Sequence, residues 1–210
     1  MSLISEELRL LDVFRKNLLK QLEFNEIMKL AKKKSRGWVF SILQKFVKMN
    51  FIFKIKVNNS FLYKANLGSF GLISFFNLLD FSDMCRCKWS KRIHRVLNEI
   101  RFNVSKVTPF FVLLVFGSYA EKKQTEKSDL DIAVIVDLEE IKIKPYIEKV
   151  IRKEIINIDY HIIPKDEFKQ MLLRKEENLG KEIFKKHILI WGNNQYYELV
   201  REVEENGFHG

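Results

Sequence analysis

The chain has 210 residues, 47% of them apolar, which is enough for one large domain or two small ones and excludes a disordered chain. No apolar run reaches the roughly 18 residues of a membrane helix, and MSLISEELRLLDVF carries acids where a signal peptide has basic residues, so a cytoplasmic chain that spans no membrane is expected. The net charge of +10 is concentrated at one end: Met1 to Asn66 holds 14 Lys/Arg against 5 Asp/Glu, whereas the remaining 144 residues hold 23 against 22. A basic third on an otherwise balanced chain points to a polyanionic partner, or else to a solvated basic face.

In chain order, Glu6 to Leu19 reads as an amphipathic helix, with Leu8, Leu11, Phe14 and Leu18 near helical spacing. Asn25 can cap a second helix, Glu26 to Lys33, and Ser35 a third that runs to about Met49. Val39, Leu43, Phe46 and Val47 form the buried stripe of that third helix, and Ser41, Gln44, Lys45 and Lys48 its opposite face. FIFKIKVNNSFLYKA follows, two β-rich runs around Asn58-Asn59 that predict a hairpin. Three helices and a hairpin over residues 1–66 resemble a winged helix-turn-helix. That resemblance implies DNA binding through Arg36, Ser41, Gln44, Lys45 and Lys48, and a homodimer, since such modules often pair. Winged helices also serve as protein-docking modules.

Residues 67–104 read as a helical connector, with helices over Leu67 to Phe81 and Trp89 to Phe102. Cys85 and Cys87 lack the second pair of a closed zinc site and are expected to be reduced thiols. His94, His187 and His209 have no ligand spacing, and Lys185-Lys186 reads as a solvated helix face. From residue 105 the periodicity changes. FFVLLVF is apolar on both faces, as a central strand is. LDIAVIV, INIDYHII and ILIW are further strands, interleaved with helices over Ile141 to Lys153, Pro164 to about Lys175, Glu177 to His187 and Tyr196 to Glu205. Such interleaving predicts a second domain, residues 105–210, with strands and helices packed together.

Two carboxylates stand at the mouth of LDIAVIV. In a strand, residues i and i+2 share a face and lie about 6.5 to 7 Å apart. Asp129 and Asp131 therefore point one way, and Leu130, Ile132, Val134 and Val136 the other. Acids so placed repel each other unless a cation lies between them, so the pair fits a divalent metal; the plainer alternative is a strand ending in solvent. In INIDYHII the apolar face is Ile156, Ile158, Tyr160 and Ile162, which leaves Asp159 and His161 on the other, and an unpaired buried Asp159 would be costly. If the two strands are neighbours, Asp159 joins the pair. Upstream, Gly117-Ser118 breaks the first strand with a bend that admits close approach of backbone N–H groups to a phosphate. His161, on the same face as Asp159, reads as a hydrogen-bonded structural residue, the alternative being that it touches the site.

Gly117-Ser118, ten residues, then Asp129-Leu130-Asp131 resembles the signature of the polymerase-β-like nucleotidyltransferase superfamily, and GSYA…KSDLDIAVIVD most resembles its minimal members. The resemblance implies an α+β fold, with a mixed sheet flanked by helices following the winged helix. It implies that Gly117, Ser118 and Ser128 bind a nucleoside triphosphate, ATP being expected. It further implies that Asp129, Asp131 and Asp159 are catalytic and hold one or two Mg²⁺ ions. Minimal members include antitoxins that transfer AMP to a partner protein, which makes a protein hydroxyl the expected acceptor. The family often has Arg-Gly after the Gly-Ser-aromatic-Ala segment, whereas Glu121-Lys122 stands here; Lys122, Lys123 or Lys127 could compensate. The alternative reading is a DNA-binding regulator whose transferase-like domain binds only nucleotide or a partner.

Overall fold

A computed structural model describes residues 5–125, 128–208 and 210. Lys127 and His209 lie outside the described residues. The chain divides into two units, Met1–Leu79 with Gly207–Gly210, and Asp80–Asn206.

The first unit begins with α1 (Glu6–Lys16), whose N-cap Ser5 accepts a hydrogen bond from the Leu8 N–H. α1 ends at Lys16, short of Leu19, because the Asn17 side chain donates to the Val13 carbonyl and its backbone N–H to the Phe14 carbonyl. β1 (Leu22–Glu23) is a strand that the sequence reading missed. It pairs Leu22 with Tyr63 and Glu23 with Leu62, which holds the chain extended until α2 (Phe24–Leu30) starts. Asn25 is therefore inside α2 rather than its cap, and its Oδ1 accepts from the Arg36 guanidinium at 2.9 Å. α3 (Arg36–Lys48) is capped by Ser35, as expected, and buries Val39, Ile42, Leu43 and Phe46; Ile42, not Val47, completes its stripe.

β2 (Ile52–Val57) and β3 (Ser60–Ala65) form the predicted hairpin. Val57 faces Ser60 across Asn58-Asn59, and Asn58 takes φ +52, a left-handed conformation that Asn tolerates. The sheet order is β1-β3-β2, antiparallel throughout. α4 (Phe70–Cys85) follows. No helix among the described residues is long and apolar enough to cross a membrane.

In the second unit α5 (Lys91–Val104) starts at Ser90, whose hydroxyl accepts from the Ile93 N–H. The sequence assigns this stretch to a connector, yet its apolar face belongs to a core. Ile93, Val96, Leu97, Ile100 and Val104 lie in one buried cluster with strand residues. Arg92 and Arg95 hold Glu154, 3% exposed, at 3.2 and 2.9 Å. The remaining elements are β4 (Phe111–Val115), α6 (Gly117–Glu121), β5 (Leu130–Val136), α7 (Glu140–Ile151), β6 (Ile158–Pro164), α8 (Lys165–Leu173), α9 (Leu179–Lys185), β7 (Ile188–Trp191) and α10 (Asn193–Glu205).

The strand order is β6-β5-β4-β7. β5 runs parallel to β6, while β4 is antiparallel to both β5 and β7, so the unit is a mixed sheet with helices. The period-2 argument holds on β5: Leu130, Ile132, Val134 and Val136 pack with α5 and with Ile143, Ile147 and Val150 of α7. α8 packs on β5 and β6 and α10 on β4, and Phe168, Leu172 and Val200 of these helices are buried. Every residue of β4 is buried, which explains why its sequence shows no alternation.

Candidate active site

β5 and β6 are neighbours, and Asp131 lies in register with Asp159. The crossover helix α7 makes this parallel pairing feasible, and the adjacent strands set the two backbones about 4.8 Å apart. Asp129 precedes Asp131 by two residues, just before β5 begins, and its charge acts on Asp131. Asp131 is partly buried, whereas Asp129 is exposed. Asp159 is exposed as well, with its side chain 60% accessible. Asp159 is therefore not a buried unpaired charge: it lies on the edge strand β6 with much of its side chain open to solvent.

Asp131 carries the electrostatic stress of the group. Burial pushes its carboxyl pKa up, and the charges of Asp159 and Asp129 push it further. A backbone N–H from Ser118 donates to it and pulls the other way, while Glu182 on α9 adds a smaller upward push. The carboxylate rests on the Gly117 bend. Gly117 has φ +61, and a Cβ there would lie 2.1 Å from the Asp131 Oδ2. The Phe116 N–H donates to the Asp131 carbonyl at 3.1 Å and ties the same bend to β5. Glycine is thus required twice at position 117, for its backbone angle and for the space.

The other predicted residues divide. Ser118 is brought to Asp131 through its backbone N–H. The hydroxyl of Ser128 is engaged locally, accepting from the Thr125 N–H at 2.9 Å. Gly117-Ser118 opens the short helix α6 instead of a plain turn, and Lys122 ends it at φ +60. Lys123 is taken by Glu121 at 2.7 Å. His161 sits 3.6 Å from Asp159 and packs on the Phe116 ring, so it touches the group. Glu182 was missed; no spacing in the sequence connects α9 with β5.

Among the described residues no three His, Cys, Asp or Glu side chains are gathered closely enough to hold a metal ion. The chemistry of the donor set nevertheless fits a divalent cation. It is all carboxylate oxygen, two of its acids are open to solvent, and the third is disfavoured as an anion by its neighbours, a repulsion that a cation relieves.

The predicted DNA face is partly closed. Lys45 pairs with Glu7 of α1 at 2.8 Å. The Gln44 Nε2 is buried without a hydrogen-bond partner among the described residues. Arg36 donates to Asn25 and lies over the Phe24 ring at 5.0 Å. Ser41 and Lys48 remain exposed. Neither of two clefts is lined by Asp129, Asp131 or Asp159. One of about 500 Å³ in the first unit is lined by Phe24, Arg36, Phe40 and Phe61. The other, of about 330 Å³, lies at the far end of β5, beside Val136 and Asp137.

Residues 99–196 match the model of the family described as Polymerase beta, Nucleotidyltransferase. The matched span contains Gly117, Ser118, Asp129, Asp131 and Asp159, so the chain carries a nucleotidyltransferase-type domain there. No curated protein matches the chain. Among solved structures it is similar to a crystal structure of a toxin-antitoxin with AMP-PNP, at 18% identity and a TM-score of 0.36, over 52% of this chain and 84% of that one.

Proposed function

We propose that the domain transfers a nucleoside monophosphate, AMP from ATP, to a hydroxyl group on a partner protein, in a setting like that of a toxin–antitoxin pair. The observation that carries the reading is the register of Asp131 with Asp159 beside the positive-φ Gly117, inside the segment that matches the transferase family. In this reading the Gly117-Ser118 bend receives the phosphates. Asp129, Asp131 and Asp159 would hold Mg²⁺, which when bound neutralises charge on the phosphates. Asp159, exposed and open to an incoming group, accepts the proton of the acceptor hydroxyl. The acceptor oxygen bonds to the α-phosphorus as the bond to pyrophosphate breaks, and pyrophosphate leaves with the electron pair. Labelled ATP, Mg²⁺ and candidate acceptor proteins test this. Wild type should label an acceptor, and Asp129→Ala and Asp159→Ala should each lose about 10²-fold or more. Undiminished labelling by both variants would refute the assignment.

The first unit favours a second activity, binding of double-stranded DNA in the manner of a winged helix-turn-helix. Three helices with a β1-β3-β2 sheet and a net charge of +9 over residues 1–66 support it. With Lys45 engaged by Glu7, the contribution of Lys48 outweighs that of Lys45. In a fluorescence anisotropy titration Lys48→Ala should weaken binding and lower the salt slope by about one. Binding indifferent to salt would exclude the DNA activity and leave the transferase reading untouched.

A further inference from the structure

We propose that the cleft of the first unit binds an unpaired nucleotide of a nucleic-acid strand, its base on Phe40 and Phe61 and its phosphate at the N-terminus of α3. This activity goes beyond duplex binding by the same unit and does not depend on the transferase. The cleft holds about 500 Å³, room for one nucleotide, and is lined by the start of α3 and by the β2-β3 hairpin. Its rings are open: Phe40 is 51% exposed and Phe61 44%. Lys54 stands over the Phe61 ring at 4.0 Å, and Arg36 over the Phe24 ring at 5.0 Å. Open rings beside cations are stacking platforms for unpaired bases. A duplex presents base edges in its grooves rather than ring faces, and so leaves these rings unused.

The polar lining supplies what a stacked base and its phosphate need. Tyr63 lines the cleft and is 2% exposed, yet among the described residues its hydroxyl has no hydrogen-bond partner. A buried tyrosine hydroxyl ordinarily has one. Burial pushes its pKa up, which keeps it a donor, and a ring nitrogen or carbonyl of a base is the matching acceptor. At the start of α3, Ser35 takes the Trp38 N–H, and the N–H groups of Arg36 and Gly37 come before it in the first turn, where a helix binds anions. Gly37 lines the cleft, and a Cβ built there meets nothing within 4 Å, so a phosphate can approach this backbone closely. The Arg36 guanidinium, bonded to Asn25 at 2.9 Å, lines the same cleft. The net charge of +9 over residues 1–66 matches a strand, which is anionic at every nucleotide.

Fluorescence anisotropy of the full chain with labelled oligothymidylate, which does not pair with itself, tests this. The same strand annealed to oligoadenylate is the duplex control, and thymidine monophosphate the competitor. Wild type should bind the strand more tightly than the duplex. Phe61→Ala should weaken strand binding about tenfold or more, the scale of one base–aromatic stack, and Tyr63→Phe about threefold. Tyr63→Phe should melt no lower than wild type, since it gives up no internal hydrogen bond. Gly37→Leu fills the cleft from a helical position and should weaken the strand about tenfold. It too should melt no lower, because glycine is the poorer helix former. A strand bound no better than the duplex, or bound equally by wild type, Phe61→Ala and Gly37→Leu, overturns the proposal. Displacement of the strand by thymidine monophosphate at a matched nucleotide concentration would make a free nucleotide the ligand and overturn the strand.

Discussion

Asp131→Asn is expected to abolish nucleotide transfer and at the same time raise the melting temperature of the metal-free chain. The first effect follows from the proposed role: a metal site is worth several kcal/mol of transition-state stabilisation, so turnover should fall on the order of 10³-fold. The second follows from the raised pKa of Asp131. Burial, then Asp159, then Asp129 disfavour its anion. An acid whose folded pKa lies above its unfolded value contributes stability below the unfolded pKa and loses it as the pH rises through the folded one. At neutral pH the ionised Asp131 therefore weighs against folding, and an amide of the same shape removes that cost. Thermal unfolding in a chelator, then in Mg²⁺, measures both sides. Mg²⁺ should raise the melting temperature of wild type by mass action and have much less effect on Asp131→Asn. A variant that melts lower than wild type in chelator would show the carboxylate to be a structural acceptor for the Ser118 N–H.

Gly117→Ala is expected to disable the site while the domain stays folded. Alanine at φ +61 costs roughly 1–2 kcal/mol in backbone conformation. Its Cβ would also meet the Asp131 Oδ2 at 2.1 Å and the Cγ at 2.9 Å. These atoms end a movable side chain, so Asp131 swings aside and the backbone stays. Displacing a reacting group by about 1 Å can cost 10²-fold in rate, and turnover should fall by at least that order. Gly207→Ala is the control, since Gly207 also has positive φ but nothing within 4 Å of a built Cβ. It should lose some stability and keep full activity. Equal activity in the two variants would mean that the contact between Gly117 and Asp131 has no part in turnover.

The hairpin was legible because Asn58-Asn59 interrupts two β-rich runs, and the cap at Ser35 because a hydroxyl there meets an N–H three residues on. The alternation in LDIAVIV set Asp129 and Asp131 on one side of a strand before any fold was known. What misled was context. Asn25 has the composition of a helix cap, but pairing of Leu22 with Tyr63 starts the helix earlier. Lys45 has the spacing of a solvent-facing helix residue, but α1 places Glu7 against it.

The sequence by itself determined most of the local events: the β2–β3 hairpin, the strands β4 to β7, the Ser35 cap, and two acids that follow a Gly-Ser bend at the mouth of a strand. These depend on neighbours within a few positions, through backbone sterics, capping and the period of the side chains. Only the tertiary structure decided that Asp131 lies in register with Asp159 and that Glu182 acts on Asp131. Those relations depend on which strands become neighbours, and burial of the apolar faces of β4, β5, α5 and α7 sets that order over a chain distance that no local pattern spans.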